Sequence, residues 1–120
     1  MNKKTLVIGA SLNPARYSHF VIKKLVQQGY EVVAIGKRKG KVLGVTVDTD
    51  YILCQNIHTV TIYVNPENQK ALYEYILNLK PRRVIFNPGT ENPEFYALLN
   101  ENRIPYEEAC SLVLLSTNQY

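Results

Sequence analysis

Cysteine is scarce in this chain. Cys54 and Cys110 are the only two among 120 residues, and neither has a CxxC neighbour. With only His19 and His58 to add, a zinc site is not expected, and two isolated cysteines do not make the disulfide framework of a secreted domain. Both are read as small core hydrophobes. Long apolar runs are absent as well. No stretch approaches the length that crosses a bilayer. Met1-Asn2-Lys3-Lys4 is followed only by Thr5 to Gly9 before Ala10-Ser11-Leu12-Asn13-Pro14, too little for a signal-peptide core. A cytoplasmic protein with no membrane partner is expected, and the length suits one domain over residues 1–120.

Acids are nearly missing from the first third. Residues 1–41 hold nine Lys/Arg and one acid, Glu31, a net +8; residues 42–120 hold five Lys/Arg and nine acids, a net −4. The whole-chain value of +4 hides this split. Such asymmetry points to an anionic partner at one end of the fold.

What is present alternates short apolar runs with amphipathic segments. Thr5-Leu6-Val7-Ile8, Glu31 to Ile35, Thr59 to Val64, Arg83 to Phe86 and a weaker Ile104 to Glu107 read as five strands. The first two lack period-two alternation, as strands buried on both faces of a parallel sheet do. Helices fit between them. Ser18 is the expected N-cap of a helix to about Gln28, with Val21, Ile22, Leu25 and Val26 inward and Gly29 as its stop. Asn65-Pro66 and Asn92-Pro93 open two more helices. Ala71, Leu72, Tyr75, Ile76 and Leu79 face the core from the first of these, and Phe95, Leu98 and Leu99 from the second. Cys110 to Ser116 reads as a short closing helix. Between Arg38 and Ile57 only a short extended piece, Val42 to Val47, is legible. The pattern predicts an α/β, three-layer Rossmann-like fold with about five parallel strands in the order 3-2-1-4-5.

Ligands of such sheets bind beyond the strand C-termini where the strand order reverses. In the predicted order this point is flanked by the loop after Ile8 and by Asn87-Pro88-Gly89-Thr90, where Gly89 could help a backbone N–H cradle. The first loop reads Gly9-Ala10-Ser11-Leu12-Asn13-Pro14-Ala15-Arg16-Tyr17-Ser18. It is not GxGxxG. Ser11 and Ser18 can donate hydroxyl hydrogen bonds, Arg16 can grip phosphate bidentately, and the helix start adds its dipole. After the second strand an NAD-type domain needs an acid for the ribose hydroxyls. Here the chain reads Gly36-Lys37-Arg38-Lys39-Gly40-Lys41, with no carboxylate before Asp48. That calls for a phosphorylated ribose, as in NADP or coenzyme A, unless the turn is simply a solvated basic one.

Gly9-Ala10-Ser11, Asn13-Pro14, Arg16-Tyr17-Ser18 and Gly29-Tyr30-Glu31-Val32 resemble the opening of the small CoA-binding-domain proteins, which are similar to the N-terminal domain of the succinyl-CoA ligase α subunit. Leu43-Gly44-Val45, Ile62-Tyr63-Val64-Asn65-Pro66 and Cys110 follow in the order that family shows. The resemblance implies a Rossmann-like domain that binds coenzyme A or an acyl-CoA. The loop from Gly9 to Ser18 would take the diphosphate, the turn Gly36-Lys37-Arg38-Lys39 the 3′-phosphoadenosine end, and Val64-Asn65-Pro66 would flank adenine or pantetheine. Two departures stand out. Ala34-Ile35-Gly36-Lys37 replaces the family's Pro-Val-Asn-Pro-like end of strand 2, and Phe86 to Glu91 replaces an apolar-then-Gly loop.

Catalytic residues are not expected. The phosphorylated histidine of the ligase lies in a second domain, His19 reads as a capping or surface residue, and no base is placed beside Cys110. Nine tyrosines and a basic third raise a nucleic-acid reading, but the cations cluster at one turn and do not track a groove. The expected partner is a phosphorylated nucleotide small molecule. An NADP-binding redox module and a regulatory domain with a vestigial site are the alternatives. An open edge strand and apolar tail would permit a homodimer.

Overall fold

The computed structural model describes residues 3–120. Seven strands form one sheet: β1 (Thr5–Ala10), β2 (Val32–Gly36), β3 (Gly40–Val42), β4 (Val45–Asp48), β5 (Thr59–Ile62), β6 (Arg83–Phe86) and β7 (Tyr106–Glu108). Their order is β3-β4-β2-β1-β5-β6-β7. All pairings are parallel except β3 with β4. The helices are α1 (Tyr17–Gln27), α2 (Pro66–Gln69), α3 (Tyr73–Leu79), α4 (Pro93–Glu101) and α5 (Ser111–Ser116), with a 3₁₀ turn at Lys70–Leu72 between α2 and α3.

The α/β Rossmann-like class holds, with seven strands in place of the expected five. The two additions are the hairpin strands β3 and β4. β4 occupies the third-strand place beyond β2, and Thr59–Ile62, expected there, lies against β1 instead. The order reversal therefore falls between β1 and β5, and the second loop flanking it is Tyr63-Val64-Asn65, not Asn87 to Thr90. The hairpin turns on Leu43 (φ 47°) and Gly44 (φ 84°), the two positive φ values of a type I′ turn. Both its strands are too short to announce themselves by alternation.

Both sheet faces are covered, which explains the continuous apolar runs. Leu6, Ile8, Val60, Ile62, Val84 and Phe86 pack with Leu72, Ile76, Phe95 and Leu99 on one face. Val7, Ala34, Val47 and Ile85 pack with Val21, Ile22, Leu25 and Leu115 on the other. Helix α1 closes as expected at Gly29, which has φ 87°. The Gly29 amide donates to Val26 O (3.0 Å) and the Tyr30 amide to Leu25 O (2.9 Å), the paired bonds of a Schellman motif.

Several local expectations are corrected. Helix α1 begins one residue before Ser18: Arg16 occupies the N-cap position, its carbonyl accepting from Phe20 N at 3.2 Å, and Ser18 is buried in the first turn. Ala71 is exposed, because the 3₁₀ turn rotates it off the core face. Both cysteines are half-buried instead of buried. The stretch from Thr49 to His58, without helix or strand, crosses from β4 to β5 where a helix usually runs, and packs Ile52, Cys54 and Ile57 against the core.

Candidate functional site

The C-terminal ends of β1, β2, β4, β5 and β6 open onto one cleft of about 1400 Å³. Ordinary small-molecule sites run to about 300–1,000 Å³, so the cleft suits an extended ligand. Its geometry begins at Gly9. The β1–β2 register shifts between Ile8 and Ala10, leaving Gly9 bulged with φ 88°. A Cβ there would lie 2.9 Å from the Tyr63 carbonyl carbon, so β1 and β5 approach closely only because this residue is glycine. Gly36 is constrained likewise: a side chain would run into the Ala10 carbonyl oxygen.

The loop leaving β1 is held by its own hydrogen bonds. Ser11 Oγ accepts from Asn13 N (3.1 Å), which leaves its hydroxyl proton to donate elsewhere. Asn13 Oδ1 accepts from Ala15 N (3.0 Å), and Asn13 O from Arg16 N (3.0 Å). His19, expected as a capping or surface residue, is buried, and its Nδ1 lies 2.9 Å from Ser11 O. It braces the loop from behind. The amides of Tyr17 and Ser18 precede the first intrahelical bond and have no helical acceptor, so the helix start meets the cleft with donors and positive dipole.

On the next strand, Gly36, Lys37 and Arg38 line the cleft. Lys39 does not, because the chain has already turned into the hairpin at Gly40. On the other side of β1, Tyr63, Val64, Asn65, Asn68 and Leu72 form the wall. Asn65 also caps α2, its Oδ1 accepting from Asn68 N at 2.9 Å. Pro66, the first residue of that helix, stays outside the cleft. Pro88, Gly89 and Thr90 complete the far wall, although the Gly89 amide is engaged by Glu91 Oε1 at 2.9 Å. Of the predicted site residues, the structure thus brings Gly9, Ala10, Ser11, Asn13, Arg16, Tyr17, Ser18, Gly36, Lys37, Arg38, Asn65 and Gly89 to one cavity and leaves out Lys39 and Pro66.

Sequence reasoning missed the wall formed by Thr49 and Tyr51, which lie in the irregular crossover, and Tyr63 at the β5 exit. Burial raises the Tyr63 phenol above its usual value. It also missed Gln69, a fully buried amide behind the wall. Gln69 Nε2 donates to Val64 O (3.0 Å) and Thr90 O (2.7 Å), and its Oε1 accepts from Asn92 Nδ2 (2.9 Å). One side chain thereby ties the β5 and β6 exits together. A polar residue within an amphipathic helix carries no sequence signal for such a role.

Among the described residues, the cleft lining contains Arg16, Lys37 and Arg38 and no Asp or Glu. Asp48, beside Ile35 in the β2–β4 pairing, is not part of the lining. The charged side chains that line the cleft are thus all cations.

The CoA binding domain family matches residues 3–116, nearly the whole chain. This protein is a member of that family. Among solved structures, an uncharacterized protein is 44% identical with a TM-score of 0.96, covering 100% of this chain and 99% of its own. A protein from Thermus thermophilus is 23% identical (TM-score 0.86; 99% and 91% covered), and one from Pyrococcus horikoshii 24% identical (0.86; 97% and 83%). Aspartate dehydrogenase from Thermotoga maritima, 18% identical with a TM-score of 0.55, shares the Rossmann-like fold over 98% of this chain and 51% of its own. No curated protein matches. The family resemblance read from the opening loop is therefore correct. Family and fold together point to binding of coenzyme A, a small nucleotide ligand. Among the described residues no helix is long and apolar enough to cross a membrane.

Proposed function

We propose that residues 1–120 act as one cytoplasmic unit that binds coenzyme A or an acyl-CoA and does not itself transform it. In this reading Ser11, Arg16 and the amides of Tyr17 and Ser18 take the diphosphate, and Lys37 and Arg38 take the 3′-phosphate. Asn65 and the β5 exit flank the pantetheine arm. The observation that carries it is the meeting of both cation groups in one acid-free cleft, on a chain of the CoA binding domain family. The absence of a carboxylate where an NAD ribose would sit supports a phosphorylated ribose. The long loop in place of GxGxxG favours coenzyme A over NADP.

Calorimetric titration with coenzyme A, NADP and NAD tests the reading. Coenzyme A should bind and NAD should not. Binding of NADP without coenzyme A would transfer the site to the redox alternative. Arg16→Ala should weaken every phosphorylated ligand by about tenfold, the loss of one charge-assisted phosphate grip. An unchanged affinity would remove Arg16 from the site.

A further inference from the structure

The cleft has an aromatic wall that the phosphate grips leave unexplained. Tyr51 follows β4, and β4 pairs with β2 at Ile35↔Asp48. Thr49 and Tyr51 thus follow β4, and Lys37 and Arg38 follow β2, at the same end of neighbouring strands, and these four residues line the cleft. The Tyr51 ring is stacked on Tyr75 at a centroid distance of 5.3 Å and an interplanar angle of 26°. Tyr75 is itself fixed, its hydroxyl donating to Ile52 O at 2.6 Å. Yet Tyr51 remains 50% exposed. A large aromatic group held on one face by a fixed partner and left half-open in a cleft that two cations also line is an arrangement that can receive a planar base.

Resting on the reading above, we propose that Tyr51 is the stacking platform for the adenine base of the nucleotide whose 3′-phosphate meets Lys37 and Arg38. Ile35 and Leu12 give that end of the cleft an aliphatic lining, and Tyr51 on the exit of the adjacent strand adds an aromatic face. The base then lies between the Tyr51 ring and the Lys37–Arg38 turn, with the diphosphate extending toward Arg16.

Titration of wild type, Tyr51→Ala and Tyr51→Phe with coenzyme A, adenosine 3′,5′-bisphosphate and 4′-phosphopantetheine tests this. Tyr51→Ala should lose about tenfold in affinity for the two adenine-containing ligands and keep its affinity for 4′-phosphopantetheine, whereas Tyr51→Phe should match wild type. The chain has no tryptophan, so Tyr51→Trp adds a single reporter. Its fluorescence should be quenched by adenosine 3′,5′-bisphosphate and not by 4′-phosphopantetheine. Equal affinities of wild type and Tyr51→Ala for coenzyme A would overturn this inference alone. So would an equal loss for all three ligands, or a Tyr51→Trp signal indifferent to the adenine compound. Failure of the wild type to bind coenzyme A would overturn the underlying reading and this inference with it.

Discussion

Thr59 Oγ1, at the foot of β5 and away from the cleft, accepts a hydrogen bond from Arg83 Nε at 2.8 Å and lies 2.8 Å from His58 Nδ1. The hydroxyl that receives the Arg83 guanidinium thus also meets the His58 ring, which keeps the cation close to the imidazole. Burial first, and the Arg83 charge second, hold the His58 pKa below its ordinary 6.5. The unfolded chain therefore takes up a proton that the native state refuses as pH falls through about 6.5. The His58 contribution to stability is complete above that pH and is lost below it. Urea-denaturation midpoints should fall between about pH 7 and pH 5, and His58→Gln should flatten that decline. An identical decline in the variant would contradict the assignment. None of this was legible in the sequence, where His58 precedes a strand with no partner in view. Arg16, Lys37 and Arg38 were legible, because charge type and position after a strand need only the strand to be recognised. His19 reads from sequence as a capping or surface residue because its acceptor, Ser11 O, belongs to a loop whose path no pattern records.

At the scale of elements, the runs that became β1, β2, β5 and β6 announced themselves by continuous apolar character, and Asn65-Pro66, Asn92-Pro93 and Gly29 announced their helix ends by chemistry. The β3–β4 hairpin did not, since Leu43 occupies a turn position where Asn or Gly is usual. That missing signal displaced the expected third strand and with it the reversal point. Leu43 has φ 47° and is 51% exposed, so it has strain to lose and little burial to forfeit. Leu43→Asn should stabilise the protein by about 1 kcal/mol, seen as a rise of a few degrees in Tm. A lowered Tm would mean that the Leu43 side chain packs more than its exposure suggests. The Gln69 strut belongs to the same scale, because it joins two strand exits and a helix. Gln69→Leu should cost about 1–3 kcal/mol for each carbonyl left without a donor, measured by urea denaturation. A loss under about 0.5 kcal/mol would show that other donors replace the amide.

For the whole molecule, the lopsided charge of the first 41 residues has divided into parts with different work. Lys4 pairs with Glu31 at 3.4 Å at the far end of the sheet, and Lys39 stands outside the cleft. Arg16, Lys37 and Arg38 alone among those nine cations line it. In the proposed function Lys37 and Arg38 read a phosphate on the ribose. Calorimetry comparing coenzyme A with 3′-dephospho-coenzyme A, on wild type and on Lys37→Ala/Arg38→Ala, tests it most directly. Wild type should prefer coenzyme A by about tenfold or more, and the double variant should bind the two ligands alike. Equal wild-type affinity for both ligands would contradict the claim.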